Sequence, residues 1–307
     1  MPELPEVETI KRGLSKLTIK QKIKNIKVLC EKSFIGNPET VKDATITKIR
    51  RFGKALVIDL DNQKSLMIHL RMTGQLIYDD KGEKNKRYAA GHPSENFIAE
   101  LPNKQTRVIL ELENGTIYFN DQRKFGFIKI LATKEVNKDP FIKKLAKEPW
   151  QMTPEELYEK LQRHQKSCIK AVILDQTIIT GLGNIYADET LFLSKIHPST
   201  KAGTLTKKDA GTILNMADKV MNLSIASGGS TLKDYVKADG TRGDYLDKFA
   251  KVFNKQGQPC PACGKAKIEK IKVAGRGTHI CPNCQPLTGD RFEGGRESGR
   301  TRQEVSI

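Results

Sequence analysis

The chain has 307 residues and no apolar run approaching the ~18 that a membrane-spanning helix needs, which argues against a transmembrane protein. A basic amphipathic helix of the membrane-surface type is also missing. The N-terminus is acidic and proline-bearing, unlike a secretory signal, so the expected compartment is the cytoplasm. Acidic residues are in short supply: 36 Asp and Glu stand against 53 Lys and Arg, a formal net charge of +17. Such an excess points to a polyanionic partner, nucleic acid ahead of an anionic membrane, with a merely solvated basic surface as the plain alternative. Cysteine is scarce, at six residues. Cys30 and Cys168 stand alone inside apolar stretches and are expected to be small core residues.

The length suits two domains with separate cores. After a first helix, residues 19–30, 44–49, 55–60, 65–77, 107–112, 116–120 and 125–131 carry β-branched or alternating patterns. Asn114 and Gly115 form a strong hairpin signal between two of these runs. Many short strands with tight turns predict an antiparallel sandwich. Residues 79–105 interrupt the pattern with charge, glycine and proline and are expected to form a long exposed loop. From Thr153 the character is helical. Thr153-Pro154-Glu155-Glu156 is a capping box with proline at the first helical position, and helices are expected near 154–163, 167–175, 184–194, 206–226 and 231–235. The expected class is therefore α+β: an N-terminal helix and antiparallel β-sandwich over 1–135, a linker over 136–150, a helical domain over 151–248, a cysteine-bearing hairpin over 249–285, and a disordered tail over 286–307.

Cys260-Pro-Ala-Cys263 and Cys281-Pro-Asn-Cys284 are separated by seventeen residues. That spacing is typical of a four-cysteine zinc site, and four thiolates with no open position make the metal structural. Disulfides would conflict with the expected compartment. At the other end, Pro2 is small enough for the initiator methionine to be removed. The exposed secondary amine then has Glu3, Glu6 and Glu8 close in sequence. With reference pKa values of ~8 for an α-amine and ~10.4 for lysine, roughly a quarter of such amines are neutral at pH 7.5, against roughly 0.1% of lysines. A neutral secondary amine can attack a sugar C1′ and form an iminium, which stays cationic and favours elimination at the next carbon. The same residues also read as a helix start, with Leu4, Val7, Ile10, Leu14 and Leu17 in one apolar stripe.

Three further motifs are individually weak. Gly181-Leu182-Gly183-Asn184 precedes a helix and offers N–H groups to a phosphate, or is an ordinary capped turn. Ser227-Gly228-Gly229-Ser230-Thr231 is a flexible loop able to close over an extruded base, or a plain connector. His69-Leu70-Arg71-Met72 and Arg123-Lys124-Phe125-Gly126 each adjoin strands. Their Arg, Phe and Met side chains either wedge into a base stack or lie in the core.

Taken in order along residues 1–285, these segments resemble the formamidopyrimidine-DNA glycosylases, bacterial enzymes for oxidised purines. The likeness is carried by residues 2–9, by His69-Leu70-Arg71-Met72, by Arg123-Lys124-Phe125-Gly126 and by Leu174-Asp175-Gln176 through Asp188-Glu189. Gly228-Gly229-Ser230-Thr231-Leu232, the cysteine pairs and Gly275-Arg276-Gly277-Thr278 complete it. The resemblance implies a β-sandwich, a helix–two-turn–helix domain and a zinc finger, with DNA in the cleft between domains. It implies Pro2 as nucleophile, Glu3 as acid/base partner, and Glu6 in support of the amine. Lys54, His69, Asn184 and Arg276 match phosphate-gripping positions. Met72, Arg123 and Phe125 match residues that fill the gap left by the base, and residues 227–235, Tyr235 included, match the loop over 8-oxoguanine. The implied reaction is base excision followed by β- and δ-elimination on duplex DNA carrying oxidised bases or abasic sites. A monomer is expected, nucleoid-associated when bound. One structural Zn2+ on Cys260, Cys263, Cys281 and Cys284 is the implied cofactor. The 79–105 segment, the tail and Thr73 depart from the family pattern, and Thr73 implies altered contacts to the lesion. The rival readings are an endonuclease VIII-like enzyme for oxidised pyrimidines and a non-catalytic DNA-binding zinc protein.

Overall fold

The computed structural model describes residues 2–82, 87–91, 100–229 and 245–287. The chain opens with helix α1, Leu4–Thr18, and continues into ten strands: β1 Ile23–Val28, β2 Phe34–Ile35, β3 Ile46–Phe52, β4 Ala55–Leu60, β5 Lys64–His69, β6 Gly74–Asp80, β7 Arg87–Gly91, β8 Thr106–Leu112, β9 Gly115–Asp121 and β10 Phe127–Ala132. They form two five-stranded sheets, ordered β1-β8-β9-β6-β7 and β2-β10-β5-β4-β3. All pairings are antiparallel except the two-residue contact of β2 with β10. The sandwich core lies between the sheets and includes Ile23, Leu56, Ile58, Leu66, Leu110 and Phe119. Every residue of β4 is buried, which explains why its sequence does not alternate. One face meets the sandwich core, while Val57 joins Met67, Val136 and Ile142 beneath the segment that follows β10.

Three expectations are corrected here. The run 65–77 is two strands, broken by a turn in which Gly74 N–H donates to Leu70 O at 2.9 Å. The 79–105 segment is not all loop. Its β7 pairs with β6 from Asp79↔Arg87 to Gln75↔Gly91, and Tyr88 is buried under α1, its hydroxyl donating to Thr9 O at 2.9 Å. Arg-Tyr-Ala-Ala-Gly has a single strand-favouring residue, Tyr88, among alanines and a glycine, too little for a propensity signal. Cys30 and Cys168 are half-buried rather than core.

Short helix α2, Pro140–Lys143, leads to α3 Pro154–Arg163, α4 Ile169–Leu174, α5 Asn184–Leu193 and α6 Lys207–Ala226. Thr153 and Glu156 form the expected capping box of α3, and Thr206 with Asp209 forms another on α6. The helices share a second core containing Leu161, Ile173, Tyr186, Leu191, Ile213 and Tyr245. The expected helix at 231–235 falls outside the described residues. Strands β11 Glu269–Val273 and β12 Arg276–Ile280 form the terminal hairpin, whose small core includes Phe192, Val252 and Ile268.

Helix α1 belongs to both main cores. Val7, Ile10 and Leu14 enter the sandwich, whereas Leu4 enters the helical core. Full burial stabilises each such side chain by ~1.5–3 kcal/mol, more than the ~1 kcal/mol of a helix cap. Packing against both domains therefore decides where residues 2 and 3 are held.

Candidate active site

Glu3 sits at the start of α1 and is 3% exposed. Its own N–H donates to Glu6 Oε2 at 2.9 Å. Its carboxylate accepts from Gly183 N–H at 2.7 Å and Ile185 N–H at 3.0 Å, the first turn of α5. The Gly-Leu-Gly turn thus presents its N–H groups as expected of a helix N-terminus, but their acceptor is the protein's own carboxylate, which occupies the place a phosphate would take. The glycines are required by this approach. A Cβ on Gly183 would fall 2.2 Å from the Glu3 carboxyl carbon, and one on Gly181, at φ +107°, 2.4 Å from Leu4.

Burial pushes the Glu3 carboxyl up to about 7. Lys54 and the Ile185 N–H pull the other way and Glu6 adds to the rise, but loss of solvation prevails. Lys54 lies in the two-residue turn between β3 and β4, after Gly53 at φ +54°. It is 7% exposed and donates to Leu182 O at 2.6 Å. Burial lowers its ammonium to about 8, with Glu3 and Glu6 opposing and Arg276 assisting. Pro2 is buried beside Glu3, and Met1 lies outside the described residues.

Strand register brings His69 to this end of the second sheet, with Met72 in the turn after β5 and Phe125 in the turn before β10. His69 pairs with Ala55, next to Lys54, and with Phe127. Its imidazole is buried between Phe127 and Phe141, and accepts from Arg71 N–H at 3.0 Å. Burial, followed by the Arg71 and Lys54 charges, lowers it to about 3. His69 is therefore neutral at physiological pH and can offer an N–H donor, but no charge, to a phosphate. Asn184 donates to Gly277 O at 3.0 Å, joining α5 to the hairpin turn that carries exposed Arg276. Met72 and Phe125 are 41% and 55% exposed, so neither is a core residue. The Arg123 guanidinium lies 4.8 Å from the Phe125 ring centroid.

Several residues that organise these elements have no signal in the sequence. Asp121, buried at the end of β9, accepts from Phe125 N–H at 2.8 Å, Gly126 N–H at 2.7 Å and Arg123 N–H at 3.1 Å. It also accepts from the Thr73 hydroxyl. One carboxylate thus shapes the Arg123 turn and ties it to the Met72 turn, and the Thr73 hydroxyl is engaged within the protein. Buried Lys170 on α4 and Asp188 on α5 pair at 2.5 Å. Lys170 also donates to Thr278 Oγ1 at 2.7 Å, and Asp188 accepts His279 N–H at 2.9 Å. This network anchors the hairpin bearing Arg276. Ser227, Gly228 and Gly229 follow α6, and Gly229 backs onto Glu6. Ser230, Thr231 and Tyr235 lie outside the described residues.

The ligand atoms of Cys260, Cys263, Cys281 and Cys284 all lie within 4.8 Å of one another. The Cys260–Cys284 and Cys263–Cys281 sulfur separations are 3.8 and 3.7 Å. A tetrahedron with Zn–S bonds of ~2.3 Å has edges of ~3.8 Å. The donor set therefore fits one structural Zn2+, well removed in role from the carboxylates. No helix of the described residues is long and apolar enough to cross a membrane.

Comparison with known proteins bears on the whole arrangement. Residues 1–128 match the formamidopyrimidine-DNA glycosylase N-terminal domain, residues 145–236 the H2TH domain of the same proteins, and residues 257–287 a zinc finger found in FPG and IleRS. The formamidopyrimidine-DNA glycosylase of Pelotomaculum thermopropionicum is 38% identical over 295 residues, covering 94% of this chain and 100% of the relative. That of Exiguobacterium sibiricum is 39% identical over 296 residues, covering 94% and 99%. Among solved structures, the complex between Lactococcus lactis Fpg and abasic-site DNA superposes with a TM-score of 0.81 at 32% identity, covering 93% of this chain and all of that one. A complex of a mutant of the same enzyme with Fapy-dG DNA gives 0.81 at 33%, with the same coverage.

Proposed function

This chain belongs to the formamidopyrimidine-DNA glycosylase family, and from that premise we propose that it is a bifunctional DNA glycosylase and abasic-site lyase acting on oxidised purines, 8-oxoguanine and formamidopyrimidines, in duplex DNA. The observation that carries the reading is the placement of Glu3: a carboxyl that keeps its proton to about pH 7, beside Pro2 and held by the N-terminus of α5. The Fapy-dG and abasic-site DNA in the Lactococcus lactis complexes supports the substrate class.

In this reading Met1 is removed and the lesion leaves the stack at a cost of a few kcal/mol. The Pro2 nitrogen attacks C1′ while Glu3 protonates the sugar ring oxygen. The bond from C1′ to the base breaks, the base leaves with the electron pair and takes up a proton, and ring opening gives the iminium of Pro2. Loss of a proton from C2′ expels the 3′ phosphate, and a second elimination expels the 5′ phosphate. Lys54, His69, Asn184 and Arg276 hold the backbone around the extruded nucleotide. Met72, Arg123 and Phe125 fill the vacated stack, and residues 227–235 cover the base. Zinc maintains the hairpin that carries Arg276. The protein works as a monomer on the cytoplasmic nucleoid, with the division into 1–135, 136–150, 151–248 and 249–285 as its working units.

Borohydride trapping on a duplex with one 8-oxoguanine opposite cytosine, followed by peptide mass mapping, tests this. The expected result is an adduct on Pro2 with Met1 absent. An adduct on an abasic duplex alone would remove the purine assignment, and a panel with oxidised pyrimidines would then decide for the endonuclease VIII-like specificity. Tight binding without any adduct would overturn the catalytic reading.

A further inference from the structure

Glu6 is held by a hydrogen-bond chain that enters from the helical domain. Tyr186 on α5 is fully buried, and its hydroxyl lies 2.5 Å from Glu6 Oε1 and 2.6 Å from Ser224 Oγ on α6. A phenol has one proton. With that proton donated to the carboxylate, Ser224 must be the donor to the tyrosine oxygen. Ser224 is itself fully buried, and a helical serine ordinarily turns its hydroxyl back to the preceding turn. Here it points at Tyr186 instead. The second Glu6 oxygen accepts Glu3 N–H at 2.9 Å. From the last turn of α6 the chain therefore runs Ser224, Tyr186, Glu6, and then the main chain next to Pro2.

A buried polar chain in an apolar core costs desolvation that a phenylalanine and an alanine of similar shape would avoid. Packing alone does not require it. Its terminus is the carboxylate that contacts the backbone of the N-terminal residues. The ring is also fixed, by Tyr245 at 5.5 Å between centroids. Gly229, whose N–H donates to Ser224 O at 2.7 Å, closes the other side, since a Cβ there would stand 3.4 Å from Glu6 Oε1.

We propose that Tyr186, oriented by Ser224, is a positioning residue for the reaction: it fixes the Glu6 carboxylate and, through Glu3 N–H, the main chain that presents the Pro2 amine. The role rests on the Pro2 reaction proposed above. Among the described residues, the charged and titratable groups that act on Glu6 or are acted on by it include Glu3 at the start of α1, Lys54 in the β3–β4 turn, Tyr186 on α5 and Tyr245. Burial and the two carboxylates hold the Tyr186 proton well above the ordinary phenol range, so it remains a donor throughout the working range of pH.

The test is single-turnover excision and borohydride trapping on 8-oxoguanine and abasic duplexes by the full-length zinc-loaded protein, its Tyr186→Phe variant and its Ser224→Ala variant. Tyr186→Phe is expected to lower the excision rate at saturating enzyme by about tenfold or more, on the scale of a displaced proton-transfer group. Its DNA affinity should stay within about twofold of wild type, a split between rate and binding that a general structural loss would not give. Ser224→Ala should lower the rate by less, again with affinity kept, and carries the test if Tyr186→Phe does not fold. Wild-type rates in the folded variants would overturn the role. Parallel losses of affinity and rate would also overturn it, because they would mark a general structural contribution. Wild-type protein that traps on neither duplex would overturn the Pro2 reaction itself, a result visible before any variant is compared.

Discussion

Glu3 is subject to opposed forces of similar kind, and their balance sets its chemistry. Two helix N-termini, the Ile185 N–H and Lys54 favour the charged form, yet removal from water outweighs them and the carboxyl titrates at about 7 rather than at its ordinary 4.5. Between those values the folded chain binds more protons than the unfolded chain. The contribution to stability is thus complete below about pH 4.5 and is lost as pH rises through about 7. The proposed excision step needs the acid form, so kcat/KM should fall on the same alkaline side. Glu3→Gln should abolish excision, retain DNA binding, and flatten the decline in unfolding free energy between pH 5 and 7 that wild type shows in urea titrations. A variant that excises 8-oxoguanine at the native rate would remove Glu3 from proton transfer. An unchanged stability slope would show that Glu3 is not the group that titrates there.

At the level of elements, α1 is the part on which the site depends, and the 79–105 segment meets it directly. Strand β7 lies inside the 79–105 segment, and its Tyr88 lies against Gly13. A Cβ on Gly13 would stand 2.1 Å from the Tyr88 ring. Gly13→Ala should therefore destabilise by about 1–3 kcal/mol, as overpacking does. In a double-mutant cycle with Tyr88→Ala the two losses should be strongly non-additive. Additive losses in denaturant unfolding would show that β7 does not brace the helix. This contact also marks the limit of what the sequence discloses. Helix α3, the β4 strand and the cysteine pairs are local patterns, written in capping residues, apolar runs and spacing. The partners of α1 are not local. Tyr88 follows a charged stretch without strand propensity, and Asp121 and Tyr186 sit in segments whose pattern shows only strand and helix. The same holds for the Gly-Leu-Gly turn: its N–H groups were readable as an anion site, but which anion fills it depends on a residue 180 positions away. The zinc ligands were legible because their chemistry is tied to residue type and spacing; Pro2 and Glu3 stand as candidates on the ground of residue type, and Lys54 on the resemblance alone. Asp121, Tyr186 and Ser224 act through partners that only the tertiary fold supplies.

Across the whole molecule the net charge of +17 sets the long-range field, but the groups nearest the site do not contribute to it equally. Arg276 is exposed and held out on a hairpin that the Lys170–Asp188 pair anchors to the helical domain. His69, by contrast, is neutral at pH 7 because burial and the Arg71 and Lys54 charges keep its imidazole unprotonated. Both are assigned to phosphates in the proposed complex, so their contacts should differ in kind. A cationic contact releases counterions and adds about 0.9 to the slope of log K against log salt, whereas a neutral N–H donor adds affinity without slope. Binding to an abasic-site duplex should therefore weaken steeply with salt in wild type. Arg276→Ala should reduce the magnitude of the slope by about one. His69→Gln should weaken binding at every salt concentration and leave the slope where it was. A slope that falls as far in His69→Gln as in Arg276→Ala would mean that DNA protonates the imidazole on binding, overcoming the burial that depresses it in the free protein. A flat salt dependence in wild type would instead contradict the assignment of Lys54 and Arg276 to phosphates altogether.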